Sequence, residues 1–175
     1  MKKIIPMALA FGILTGSAHA AKLSVERIGD MTQVIVPALA LGMTLEEDDW
    51  EGTRQLAYSF AATMTTETLL KAGVESQRPN GSNTSSFPSG HTAAAFSGAT
   101  FIHRRYGLWR AALPYLMAGF TAYSRVESKW HKVDDVVAGA IIAGAWTMAF
   151  TDRKQPPITV RCDSHGAMLN FDVKF

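Results

Sequence analysis

Three clusters of polar residues stand apart along a chain otherwise rich in Ala, Gly and apolar side chains: Lys71 with Arg78-Pro79, then Pro88-Ser89-Gly90-His91, then Ser124-Arg125 with His131 and Asp135. The stretches between them carry helical periodicity, so only a fold that packs several helices together can bring the clusters to one place. Converged, they supply three cations, hydroxyl and backbone donors, two imidazoles and a carboxylate. That set suits a phosphate pocket, and it contains what phosphoryl transfer through a histidine requires.

The spacing of apolar residues predicts a helix from about Met31 to Leu45, interrupted by Pro37, and another from about Arg54 to Lys71 with Gly73 as its C-terminal cap. Between them the acidic run Glu46-Glu47-Asp48-Asp49 reads as a solvated surface bend, since it lacks the spaced ligands of a calcium loop. Residues 77–86, with Pro79, Gly81 and several Ser and Asn, read as a loop joining the first two clusters. A helix is expected from Ser89 to Arg105, closed by His103, Arg104 and Arg105 where the helix dipole favours cations. Another is expected from Leu108 to Tyr123, with Pro114 kinking it or marking its first turns, and a last one from His131 to Phe150. After Pro156-Pro157 the pattern alternates, which predicts a β-hairpin with Ser164-His165-Gly166 as its turn and leaves His165 outside any site.

The fold class expected is therefore all-α, a bundle of four or five helices over residues 21–155, with a short C-terminal hairpin at 156–175. Residues 1–20 carry Lys2 and Lys3, an apolar run from Ile4 to Leu14 and the small-residue ending Ala18-His19-Ala20, the plan of a cleavable secretory signal. Its apolar run is shorter than the roughly 20 residues of a spanning helix, and export is the expected fate. Removing Lys2 and Lys3 from the 17 Lys and Arg leaves as many cations as the 15 Asp and Glu, so the mature chain is formally neutral and nothing suggests a nucleic-acid partner. Cys162, the only cysteine, forms no internal disulfide, and no Cys-His metal site can be assembled, so neither metal nor cofactor is expected.

Lys71, Arg78 and Arg125 are the candidate phosphate-binding cations, with Arg offering a planar fork and Lys a point charge. Ser89 and Gly90 open a helix, where a hydroxyl and exposed N–H groups can hold an anion. His91 is the candidate general acid. His131 and Asp135, four apart, share a helix face, so the carboxylate can hold one ring nitrogen and leave the other free to attack phosphorus. Asp134 points about 100 degrees away and is the weaker candidate. Taken singly each has an ordinary use: Lys71 as a helix-end cation, Ser89 as a cap, His131 and Asp135 as an exposed pair contributing about 0.3–0.5 kcal/mol.

In order, the motifs are K-x6-R-P at Lys71 to Pro79, P-S-G-H at Pro88 to His91 and S-R-x5-H-x3-D at Ser124 to Asp135. This set resembles the type 2 phosphatidic acid phosphatase superfamily, which includes lipid phosphatases, bacterial class A acid phosphatases and vanadium-dependent haloperoxidases. The resemblance implies a helical bundle, metal-free hydrolysis of a phosphate ester, phosphate binding by Lys71, Arg78, Ser89, Gly90 and Arg125, His91 as acid, His131 as nucleophile and Asp135 as its partner. The expected function is hydrolysis of a phosphomonoester or diphosphate on a lipid or polyprenyl carrier, through a phosphohistidine, in the periplasm or on the periplasmic face of a membrane. Two alternatives share the pocket: a soluble periplasmic acid phosphatase of broad specificity, acting on small phosphoesters, and a vanadium haloperoxidase, for which the chain is small. Gly and small residues, with Trp109, Trp130 and Trp146 near helix ends, tilt the expectation toward membrane association.

Overall fold

A computed structural model describes residues 25–154 and the backbone of residues 158–163 and 166–171. Five helices make up the described fold: α1 (Val25–Glu46), α2 (Trp50–Gly73), α3 (Gly90–Tyr106), α4 (Leu108–Glu127) and α5 (Val133–Phe150). The expected signal segment at 1–20, the turn at His165 and the side chain of Cys162 lie outside the described residues. At the C-terminus Ile158–Asp163 and Gly166–Phe171 pair as antiparallel strands, Ile158 opposite Phe171. The fold class rests on the five helices alone.

The central helix is α3, which packs on each of the other four. Its inward residues are small, among them Ala93, Ala95, Gly98 and Ala99, so neighbouring backbones approach closely. At Gly98 an added Cβ would lie 2.7 Å from the Cα of Pro37 on α1. Because that neighbour is backbone, Gly98→Ala should force α1 and α3 apart and destabilise the fold by about 1–3 kcal/mol. Thermal unfolding of the variant checks this, and an unchanged midpoint would show that the helices part freely.

Val36, Ala95, Ala99 and Ala118 form one apolar cluster, and Ala40, Leu56, Phe101, Ile102 and Ala111 another. Threonines share this interior: Thr32 bonds Thr121 at 2.7 Å between α1 and α4, and Thr100 bonds Thr147 at 2.8 Å between α3 and α5. Larger apolar side chains face outward instead, including Met31, Val34, Leu41 and Leu45 on α1, Leu113 and Leu116 on α4, and Val137, Ile141 and Met148 on α5. Helices α1 and α5 are long and apolar enough to cross a membrane by length and composition. At about 1.5 Å per residue they extend about 33 and 27 Å, close to the roughly 30 Å hydrocarbon core of a bilayer. The tryptophans divide. Trp109 is almost fully exposed, whereas Trp130 donates to Glu26 and Trp146 donates to Thr66, so those two fasten helices.

Several sequence expectations change. The second helix starts at Trp50, and Gly73 lies inside it with Val74 as the cap. The last helix starts at Val133, which leaves His131 in the turn before it. The acidic run does not simply face solvent: Asp49 is buried, caps α2 through the Gly52 N–H at 3.0 Å, and takes two hydrogen bonds from Arg105, at 2.6 and 2.8 Å, and one from Tyr106 at 2.9 Å. Burial alone would raise the pKa of Asp49, but the bonds from Arg105, Gly52 and Tyr106 outweigh it and bring it to about 2. Arg105 is thus the buried partner of a helix cap, where the sequence suggested a cation placed for the helix dipole.

Candidate active site

The start of α1, the end of α2, the start of α3, the end of α4 and the approach to α5 meet at one end of the bundle. They enclose a cavity of about 310 Å³, lined by Glu26, Asp30, Lys71, Arg78, Gly90, His91, Arg125, Trp130 and His131. Six of the eight residues singled out from sequence line it; Ser89 and Asp135 do not. All three expected cations, both histidines and Gly90 are brought together.

Each wall has a local cause. Lys71 lies one helical turn after Glu67 and is ion-paired with it. An added Cβ on Gly90 would meet Glu67 Oε1 at 2.8 Å, so only glycine leaves that pair its room. The loop carrying Arg78 is tied down by the bridge between Ser76 and Ser85 and by the Asn80 N–H, which donates to the Lys129 carbonyl at 3.1 Å. Arg78 then lies over the Trp130 ring, 5.0 Å from its centroid, and donates to Asn83 Oδ1 at 2.9 Å. Gly90 and His91 open α3, where backbone N–H groups have no partner within the helix.

Ser89 is fully buried; its hydroxyl meets Thr92 Oγ1 at 3.0 Å and accepts from the Thr92 N–H at 3.4 Å. It caps α3 rather than facing the cavity. Its own N–H donates to the Asp135 carbonyl at 3.0 Å, which locks the start of α3 to the start of α5.

The His131–Asp135 pair meets, but not across one helix face. His131 sits in a turn held by its N–H on the Arg125 carbonyl at 3.1 Å, and Asp135 in the first turn of α5 reaches back toward it. Asp135 Oδ2 accepts from the Lys132 N–H at 2.9 Å and from the Ser86 hydroxyl, and lies 3.5 Å from His131 Nδ1. That separation is an ion-pair contact at its outer limit, and Nδ1 has no hydrogen-bond partner among the described residues. Burial first, and then Arg78 and Lys71, lower the His131 pKa to about 4 against the opposing pull of Asp135 and the Ser86 backbone. The ring is therefore neutral at physiological pH.

His91 Nε2 lies 3.1 Å from Asp30 Oδ1, and Arg125 Nη1 lies 2.9 Å from the same oxygen. Burial and then Arg125 lower the His91 pKa, while Asp30 raises it. Arg125 also donates to the Glu26 carbonyl at 2.8 Å, and Trp130 donates to the Glu26 carboxylate at 2.8 Å. Sequence reasoning read Trp130 as a membrane-interface residue rather than a wall of the site, and it missed Glu26 and Asp30 because the first helix was expected to start at Met31. Glu26 and Asp30 are four apart at its true start, and that spacing was the available signal.

The model of the PAP2 superfamily matches residues 52–156. A lipid A 4'-phosphatase of Helicobacter pylori is 31% identical over 143 residues, covering 75% of this chain and 71% of the relative. A lipid A 1-phosphatase of Porphyromonas gingivalis is 43% identical over 68 residues, 37% of this chain but 15% of the relative, so the chain spans only a small part of that protein. The crystal structure of Aquifex aeolicus LpxE superposes with a TM-score of 0.54 at 24% identity, covering 69% of this chain and 83% of the other, a likeness of fold.

Proposed function

Since the chain belongs to the PAP2 superfamily, we propose that it is a phosphatase of membrane lipids which removes phosphate from a phosphorylated lipid by way of His131. One observation carries this: Lys71, Arg78, Arg125, His91 and His131 converge on one cavity from separate segments. Lipid A is the first candidate substrate, from the names of the relatives, and polyprenyl diphosphate the second. The outward apolar faces of α1, α4 and α5 favour a lipid over a soluble ester. Catalysis on the periplasmic side, after export directed by residues 1–20, completes the proposal.

The chemistry runs in two steps. His131 is neutral, and the nitrogen turned away from Asp135 attacks phosphorus while the bond to the leaving alkoxide breaks. His91 gives its proton to that alkoxide. Water then attacks the phosphohistidine, His91 takes a proton from it, the P–N bond breaks, and inorganic phosphate leaves with His131 neutral again. Lys71, Arg78 and Arg125 stabilise the charge on the phosphoryl oxygens in both transition states. Gly90 and His91 add backbone N–H groups, while Ser89 contributes by holding α3 in place. Asp135 stabilises the imidazolium-like ring as it loads.

A general acid needs its proton, yet burial and then the Arg125 charge lower the His91 pKa. An arriving phosphate dianion offsets the Arg125 and Lys71 charges that depress it, and Asp30 already opposes them. Asp30→Asn should therefore lower the His91 pKa further and move the basic limb of kcat/KM to lower pH. A pH profile reads this directly; an unmoved basic limb would remove Asp30 from the acid's environment.

Purified protein should release phosphate from lipid A without added metal and in the presence of a chelator, and vanadate should inhibit it. Release from soluble esters alone, with lipid phosphates and polyprenyl diphosphate untouched, would instead support a soluble acid phosphatase.

A further inference from the structure

A second cavity, about 390 Å³, lies between α3, α4 and α5 at the opposite end of the bundle. From Gly90 to Arg104 the chain runs along α3 for about 20 Å at the usual helical rise, so this space is separate from the catalytic pocket. His103, Arg104, Tyr115, Met148 and Arg153 are among its walls, and among the described residues no carboxylate is. Arg104 spends its Nε on the Thr151 carbonyl at 3.0 Å, which leaves its Nη groups to the cavity. Arg153 has no hydrogen-bond or ion-pair partner among the described residues. His103 Nδ1 is 3.0 Å from the Tyr115 hydroxyl, so the ring is held with its other nitrogen free.

Two guanidiniums and an imidazole with no carboxylate among them form a receptor for a small oxyanion. The nearby cations are engaged elsewhere: Arg105 with Asp49, and Lys154 with Glu47. On the α5 side the wall is apolar, with Met148 three-quarters exposed and Ile141 and Val137 continuing the same outward stripe. At Gly144 an added Cβ would meet nothing within 4 Å, so the groove is open there. Cations at the end of an apolar helix face match an anionic phospholipid, with its phosphate on Arg104 and Arg153 and its chains along α5.

We propose that this cavity is a second phosphate-binding site, occupied by the headgroup of an anionic phospholipid and distinct from the site of reaction. The cation pair stands by itself; the lipid as source rests on the membrane placement proposed above. Calorimetry on the full chain in a neutral detergent, with short-chain phosphatidylglycerol and with inorganic phosphate, tests it. Arg153→Gln should weaken phosphatidylglycerol binding about tenfold, a change of about 1.4 kcal/mol. The difference between wild type and variant cancels binding in the catalytic pocket, and unchanged helical circular dichroism shows that the variant folds. Weakening confined to inorganic phosphate, or equal for both ligands at equal affinity, identifies free phosphate as the occupant. If neither ligand loses affinity in Arg153→Gln or in Arg104→Gln, there is no second site. Because the readout is binding, it stands or falls apart from the phosphatase activity.

Discussion

Replacing His131 with alanine is expected to lower phosphate release by at least about 10³-fold, the scale on which removing an activated nucleophile acts when binding groups remain. Among the described residues the only other imidazole in the cavity lining is His91, whose Nε2 is held on Asp30 Oδ1. Stability should hardly suffer. His131 is buried and titrates near 4, with an Nδ1 that lacks a hydrogen-bond partner, so its removal deletes a poorly satisfied polar group. Steady-state release from a lipid phosphate, beside a melting curve, separates the two effects. A variant that melts early and keeps its turnover would make His131 a structural residue.

The largest expected effect on stability belongs to Arg105→Ala. Removing the guanidinium leaves Asp49, which is 4% exposed, as a buried charge with only the Gly52 N–H and the Tyr106 hydroxyl to hold it. Breaking a buried pair in this way costs about 3–5 kcal/mol, which for a chain of this size lowers the melting midpoint by about 10 °C or more. Arg110→Ala, which breaks the exposed pair with Glu47, should cost under about 1 kcal/mol.

The pH dependence should differ as well. In the wild type the folded pKa of Asp49, about 2, lies below its ordinary value of 3.8, so its contribution is full above 3.8 and is lost as the pH falls toward 2. His131 acts in the same direction: its folded value near 4 lies below 6.5, so stability falls as the pH drops from 6.5 through 4. Without Arg105, burial dominates at Asp49 and raises its pKa, and the Asp49 contribution to the acid profile changes sign. Melting curves from pH 2 to 7 check both the drop and the reversal; identical curves for wild type and variant would show that the pair stabilises nothing.

The spacing of the three motifs singled out six residues that line one cavity, because cations, glycine and imidazoles at those intervals have few other joint uses. What escaped depended on backbone detail or on distant partners. His131 and Asp135 are four apart, and that interval reads as a helix face; the turn that holds the His131 N–H on Arg125 breaks the helix without a Gly or Pro to announce it. Ser89 was legible both as cap and as ligand, two compatible uses, and the structure shows the cap, with its hydroxyl against Thr92. Asp49 and Arg105 come from opposite sides of the loop and helix that separate them, so nothing local marks either as half of a pair. Asp30 was lost with the first turns of α1, whose apolar pattern does not begin until Met31.

Passage of phosphate through a covalent bond to His131, as proposed, should be visible directly. Brief mixing of enzyme with a ³²P-labelled lipid phosphate, followed by an alkaline quench, should trap an acid-labile, alkali-stable label, and mass spectrometry of the digested protein should place it on His131. This adduct should form and decay no more slowly than turnover, and it should disappear in His131→Gln. Label on another residue, or full turnover with no label at any quench time, would contradict it.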